Sequence, residues 1–515
     1  MQIKLGKPSA SALIYPLACA LVVIGAKCWM IGRYGNPTPF WDQWDAEGAV
    51  LYPRYLGGTL QLADLIAPHN EHRILMTRLW SLLLLELEGY WDPILQMLAN
   101  TLILGAVIAV LVAAFRPLLT TWSWTSIAAF TTVMFVLPFA WENTLQGFNS
   151  QWYFLLLISL AGLLVVTRAV AFTARWWLGT LLLSLSYFCM AGGALTALSA
   201  SIVCIVQFIC RRRAGRLEIL AILILTLMTA AMIYYVPVRD QDAPLKAHTI
   251  IEFVSALAQI LSWPATPGPV PIFIKSIFAI FINLPAVLAI GHVISERPSL
   301  HDRRWFLVEL GGWTALQIAA IAYGRAAVPM APRYFDTYVF GTILNAACLL
   351  YLIGLARPLL NGRRGVAALV VWFGLILPGL SVAAVLYFNQ AAANMVTAQL
   401  ETQNLRAYLD AGDVGTLENK PLFDIPYPDA KRLAAIASSP VIRALLPPEL
   451  VGAASAARAQ QRGVARYTGH AVETFKNLAR RWGVMLIPIG LLIFALSFGT
   501  QFRRAKTGGE TSLHA

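Results

Sequence analysis

Charge is scarce in this chain. Of its 515 residues only 13% are Asp, Glu, Lys or Arg, 58% are apolar, and the mean hydropathy is +0.65. Soluble globular domains carry about a quarter charged residues, so that class is excluded. Cysteine is scarce too. The six, Cys19, Cys28, Cys189, Cys204, Cys210 and Cys348, all fall in long apolar runs, where a thiol is a small hydrophobe, so the polar segments carry no disulfide framework. A Gly-rich phosphate loop is missing, and so is an HExxH pair, which removes the usual signs of nucleotide binding and of a helical zinc hydrolase. The formal charge of +13 might suit nucleic acid by itself, but the basic residues form short clusters between apolar runs instead of one soluble face.

What the chain has in quantity is apolar runs of about 20 residues, the length that crosses a bilayer core. They predict membrane helices near 11–32, 92–115, 122–141, 152–170, 176–191, 194–210, 217–236, 276–294, 305–324, 335–356, 365–388 and 483–501. The fold class is therefore an all-α polytopic membrane protein of about twelve crossings, with both ends on one side. Basic clusters mark that side: Lys4 and Lys7, Arg116, Arg168 with Arg175, Arg211 to Arg213 with Arg216, Arg297 with Arg303 and Arg304, Arg357 with Arg363 and Arg364, and Arg503, Arg504 and Lys506. The short turns at 142–151 and 192–193 hold no Lys or Arg, so the positive-inside rule gives N-in, C-in. The first run extends over about 22 residues without a small-residue cleavage site before Arg33, which reads as an anchor rather than a signal peptide.

Three segments on the far side are too long to be turns: 33–91, 237–275 and 389–482. In the first, residues 74–87 are apolar but interrupted by Arg78 and Glu86, which suits a helix in the headgroup layer or one packed on the bundle. The third has soluble composition and reads as a small helical domain. The division is a catalytic bundle over 1–388, an exported domain over 389–482, and a last membrane helix with its tail over 483–515.

Three constellations carry chemistry. In "FWDQWDAEG" (40–48), Asp42 and Asp45 stand i and i+3 and share a helical face, with Glu47 off it. Paired carboxylates raise each other's proton affinity, as a general base needs, although the same residues fit an interfacial helix start capped by Asp42 and flanked by Trp41 and Trp44. In "APHNEHR" (67–73), His69, Asn70, Glu71, His72 and Arg73 can hydrogen-bond a polar substrate or simply cover the bundle. A divalent cation there is conceivable but not required, and no cofactor is called for. In "YGRAAVPMAPRYFDTY" (323–338), Arg325 and Arg333, with Tyr334 and Asp336 beside them, sit on the side where arginine is rare. They suit either a phosphate held by paired N–H donors or lipid headgroups. Arg239, Lys246 and His248 are weaker candidates for that phosphate.

An acidic motif after the first helix, exported arginines, interfacial helices and a C-terminal exported domain together resemble the GT-C superfamily of membrane glycosyltransferases. The phrases "WDQWDAE", "APHNEHRI", "WENTLQGFNSQW", "APRYFDTY" and "IPYPDAKRLAAIASSPVIRALLPPEL" look like a group of bacterial envelope proteins in that superfamily. The resemblance implies a GT-C-like bundle in a bacterial inner membrane with its site on the periplasmic face. It also implies a polyprenyl-phosphate-linked sugar as donor, a glycan or lipid-linked acceptor, contact with membrane lipids and no nucleic acid. Catalysis would fall to Asp42 or Asp45, and substrate binding to Glu47, the 69–73 cluster, Arg325, Arg333 and Tyr334. The spacing D-x-x-D-x-E departs from the family's adjacent acids, so the base stays open between the two. An O-antigen-type polymerase or ligase, or a lipid or solute transporter, are the alternatives. A transporter would place ionisable residues mid-helix, where this chain holds few.

Overall fold

The computed structural model describes residues 11–356 and 362–510; Lys4, Lys7 and Arg357 lie outside them. Helix dominates, and among the described residues the only sheet is a two-residue antiparallel ladder, Pro68–His69 against His72–Arg73. Nine helices among those residues are long and apolar enough to cross a membrane: Leu13–Tyr34, Pro93–Leu118, Gly147–Val166, Arg216–Tyr234, Ile272–Glu296, Trp305–Gly324, Pro332–Ala356, Arg363–Ala411 and Ala465–Gly499. The chain is an all-α polytopic protein.

Each of the twelve expected segments contains a helix, but three fall short of full spans. Thr121–Val136, Ala174–Tyr187 and Gly193–Ile209 have 16, 14 and 17 residues. At about 1.5 Å per residue they reach roughly 20–26 Å, against about 30 Å of hydrocarbon. The first helix anchors the bundle by packing along Pro93–Phe115 and along the last helix, Leu486–Glu510. Glycine permits the second approach, since a Cβ at Gly490 would lie 2.8 Å from the Ala18 carbonyl oxygen.

At the end marked by the arginine clusters, two of those arginines are buried. Arg168 Nη2 lies 3.0 Å from both oxygens of Glu309, and Arg213 pairs with Glu218 at 2.7 Å while also donating to the carbonyls of Thr167 and Ala169. They tie helix ends together, so the charge free to mark topology rests on their neighbours. All six cysteines are free and buried.

Two features reshape the expected domain division. Gly362–Ala411 is one 50-residue helix, about 75 Å long and roughly two and a half times the hydrocarbon thickness, so the expected boundary at 388 falls in its middle. Its far end then enters a second apolar core. Leu405, Tyr408 and Leu409 pack with Leu433, Ile436 and Leu446 and, from the first polar segment, with Trp44, Tyr52, Leu85 and Trp91. Segments 33–91 and 389–482 thus share a core. The stretch expected at the headgroup layer is the helix Leu75–Glu88. Its Arg78 is satisfied by the carbonyls of Leu65 (2.9 Å) and Ala67 (2.6 Å).

Candidate functional site

The chain enters the acidic motif through Trp41, whose φ of +46° is rare for a residue with a Cβ and whose amide donates to Pro426 O at 2.8 Å. From Trp44 to Leu51 it then winds as a π-helix, with i→i+5 bonding. The three carboxylates go to three different places.

Asp42 points to the His69–His72 hairpin. Asn70 Nδ2 donates to Asp42 Oδ1 at 3.4 Å, His69 Nε2 stands 3.6 Å from the same oxygen, and the side chain keeps 48% of its surface exposed. Burial pushes its pKa up, but His69, Asn70 and the field of Arg333 outweigh that and hold the carboxyl below the usual range. This is opposite to the expected mutual raising by Asp45, which is occupied elsewhere. Asp45 accepts from Tyr427 Oη at 2.7 Å and Arg432 Nε at 2.8 Å, both in the 389–482 segment. Glu47 is 1% exposed. One of its oxygens accepts from Gln96 Nε2 at 2.9 Å and Ser81 Oγ at 2.5 Å, the other from Trp91 Nε1 at 2.7 Å and Gln43 Nε2 at 3.1 Å. Desolvation outweighs those four donors and raises its pKa. The geometry leaves a substrate no direct route to Glu47.

The 69–73 cluster is the tip of the short ladder, with His69 opposite His72. Asn70 takes φ +53°, a left-handed conformation that Asn tolerates, and its Oδ1 accepts from Arg239. Glu71 pairs with Arg325, and His72 Nε2 lies 3.6 Å away from it. The Ala191 amide donates to His72 Nδ1 at 3.4 Å, which puts the proton of a neutral ring on Nε2, toward Glu71. Burial lowers the His72 pKa despite Glu71; the Glu71 carboxyl, raised by burial, is drawn below its usual range by the cations facing it, Arg325 among them. Arg73 is held by Ile66 O at 2.9 Å and Tyr187 Oη at 3.4 Å.

Arg333 completes the open side. Its guanidinium is 44% exposed, stands 3.6 Å from Glu142, and lies 5.5 Å over the Tyr334 ring, which is itself buried edge-on to Trp152. Asn143 fixes the backbone below it, donating to Arg333 O at 2.9 Å and to Asp336 Oδ2 at 2.8 Å. Lys27, buried in the first helix, faces Asp336 within electrostatic reach. The structure therefore gathers Asp42, His69, Asn70, Glu71, His72, Arg325 and Arg333 on one outer face, keeps Tyr334 beneath, and sends Asp45 and Glu47 elsewhere.

Sequence reasoning gave no role to Glu142 or Asn143 and missed the buried Lys27 altogether. Arg239 it ranked low. A single lysine seventeen residues into an apolar helix was the legible signal for Lys27. Among the described residues no group of three or more His, Cys, Asp or Glu is placed to hold a metal ion. No family model, curated protein or solved structure matches the chain.

Proposed function

We propose that this chain is an inverting glycosyltransferase of GT-C type. It takes a sugar from a polyprenyl phosphate and passes it to an envelope glycan or lipid-linked acceptor on the periplasmic face of a bacterial inner membrane. The protein crosses twelve times, N-in and C-in, with the three short helices completing the bundle. The observation that carries the reading is the setting of Asp42: a carboxylate half open to solvent, aimed at His69 and Asn70 of the hairpin, and within the field of the accessible Arg333.

An acceptor hydroxyl hydrogen-bonded to Asp42 attacks the anomeric carbon. The new C–O bond forms as the bond to the phosphate oxygen breaks, the hydroxyl proton passes to Asp42, and the lipid phosphate leaves with the electron pair. A carboxylate of low proton affinity serves here because the hydroxyl becomes acidic only as it bonds to an oxocarbenium-like carbon. Arg333, 44% exposed and resting between Glu142 and the Tyr334 ring, turns its open N–H donors to the leaving phosphate. Arg325 and Arg239 brace Glu71 and Asn70 and so hold the hairpin that aims at Asp42.

The test is transfer of radiolabelled sugar from polyprenyl-phosphate donors to envelope glycan in membranes holding matched amounts of folded protein. Asp42→Asn should lose about a hundredfold or more, the usual share of a general base, and Asp45→Asn should stay within a few fold. Transfer by Asp42→Asn at the wild-type rate would overturn the reading. The His72–Glu71–Arg325 cluster would then move to the centre, as in a polymerase or ligase.

A further inference from the structure

The helix Ala465–Trp482 has three stripes, each at helical spacing. Ala465, Gly469, Val472 and Lys476 form the first, covered to different degrees by the protein. Lys476 is its anchor: Nζ lies 2.6 Å from Glu88, 2.5 Å from Asp92, 2.7 Å from Glu473 and 2.7 Å from Tyr90 Oη. Arg466, His470, Thr474, Asn477 and Arg481 form a second stripe, polar and exposed. The third is apolar yet equally exposed, with Tyr467 at 73%, Phe475 at 41%, Leu478 at 54% and Trp482 at 53%, and Ala471 between them. A helix of a soluble domain needs the first two stripes only.

The level of this helix in the molecule says what covers the third. Near its C-terminal end the Arg480 carbonyl closes on Gly32, where an added Cβ would lie 2.8 Å from the oxygen. Gly32 is two residues from the outer end of the first span. Eight residues earlier, Val472 packs in the cluster of Leu84, Leu95 and Ala99, and Leu95 is two residues inside the outer end of the Pro93–Leu118 span. Both contacts fall at the outer ends of spans, so the helix lies across those ends. The 3-10 segment Gly483–Met485 joins it to Leu486–Glu510, which supplies the apolar part of the 465–499 helix.

We infer that Ala465–Trp482 lies in the outer headgroup layer, with Tyr467, Ala471, Phe475, Leu478 and Trp482 against the acyl boundary. The bilayer is the partner of this surface, and the arginines fit its phosphates. Arg466 sits 4.5 Å over the Tyr467 ring and Arg481 5.7 Å over that of Trp482, each cation placed where a buried aromatic meets a headgroup. The last part of the segment read as a soluble domain is thereby an interfacial element.

The test does not use catalysis, so it stands or falls apart from the proposed function. Single cysteines at Ala471, Phe475 and Leu478 and at His470, Thr474 and Asn477 are spin-labelled in full-length protein in phosphatidylcholine nanodiscs, with and without phosphatidylglycerol. The native cysteines, all buried, are replaced if they label. Collisions with oxygen should exceed those with a water-soluble nickel chelate at the first three positions and fall below them at the other three. Phosphatidylglycerol should immobilise the 478 label further, and Arg466→Gln with Arg481→Gln should remove that increment. Equal, water-like accessibility at both sets, or membrane depth lost in the folded protein when only detergent is exchanged for phosphatidylcholine, would overturn the inference.

Discussion

Replacing Glu47 by Leu tests whether the buried carboxylate holds the acidic motif in place. Leucine keeps comparable bulk and removes both acceptors. Gln43 and Gln96 retain their mutual bond of 2.7 Å, and Ser81 can rotate its hydroxyl to another acceptor. Trp91 Nε1, on a ring that is 0% exposed, has no substitute, and one amide hydrogen each of Gln43 and Gln96 is left over. Three stranded buried donors at about 1–3 kcal/mol each put the cost at roughly 3–9 kcal/mol. That loss belongs to the local opening of Trp44–Leu51 and its shared core, so amide hydrogen exchange is the assay. A loss of about 4 kcal/mol accelerates exchange of those amides roughly a thousandfold, at about 1.4 kcal/mol per decade. Exchange in 44–51 within about threefold of wild type, in a protein whose membrane helices stay protected, would refute the reasoning. It would return Glu47 to the pool of substrate contacts.

Other consequences can be measured in the same protein. The Asp45–Arg432 pair, with Arg432 about half exposed, contributes at most about 1 kcal/mol, so Arg432→Ala should shift exported-domain exchange by less than tenfold while leaving sugar transfer intact. His72 and Glu71 both have pKa values below their unfolded ones, so the unfolded chain binds more protons as pH falls. Stability of the hairpin is then fully present at neutral pH and is lost on acidification, beginning as pH drops through the ordinary imidazole value of about 6.5; proteolysis at the 69–73 tip should rise there, and His72→Gln should flatten that part of the profile. Lys27 is buried and faces Asp336 without touching it, so Lys27→Met should reduce the yield of monodisperse protein by leaving the Asp336 carboxylate without its facing cation. Lys27→Met with Asp336→Asn, which keeps an acceptor for Asn143, should recover much of it.

The apolar runs were legible because a spanning helix must satisfy every backbone group internally, and its sequence follows from that. All twelve predicted runs contain a helix, although three are too short for a straight crossing. The exported parts were harder to read. Asp42, the hairpin residues and Arg333 could be named from type and position, but their partners lie far along the chain, as with Asp45 and Arg432 across 387 residues. No periodicity reports such a pairing. The i, i+3 spacing of Asp42 and Asp45 says nothing of their partners, which the fold brings from opposite parts of the chain: His69 and Asn70 for the first, Tyr427 and Arg432 for the second. The boundary at 388 failed because alanine, asparagine and glutamine beyond it end the apolar run without ending the helix.

The shared core of segments 33–91 and 389–482 also fixes an order in the protein's birth. Trp44, Tyr52 and Trp91 leave the ribosome more than 300 residues before Leu405 and Leu433. At about 5–20 residues per second the early loop waits some tens of seconds with its aromatic face bare. Nearly the whole bundle must thread before the cradle around Asp42 can close, so a chain stopped short of its last quarter would carry every hairpin residue and still have no site.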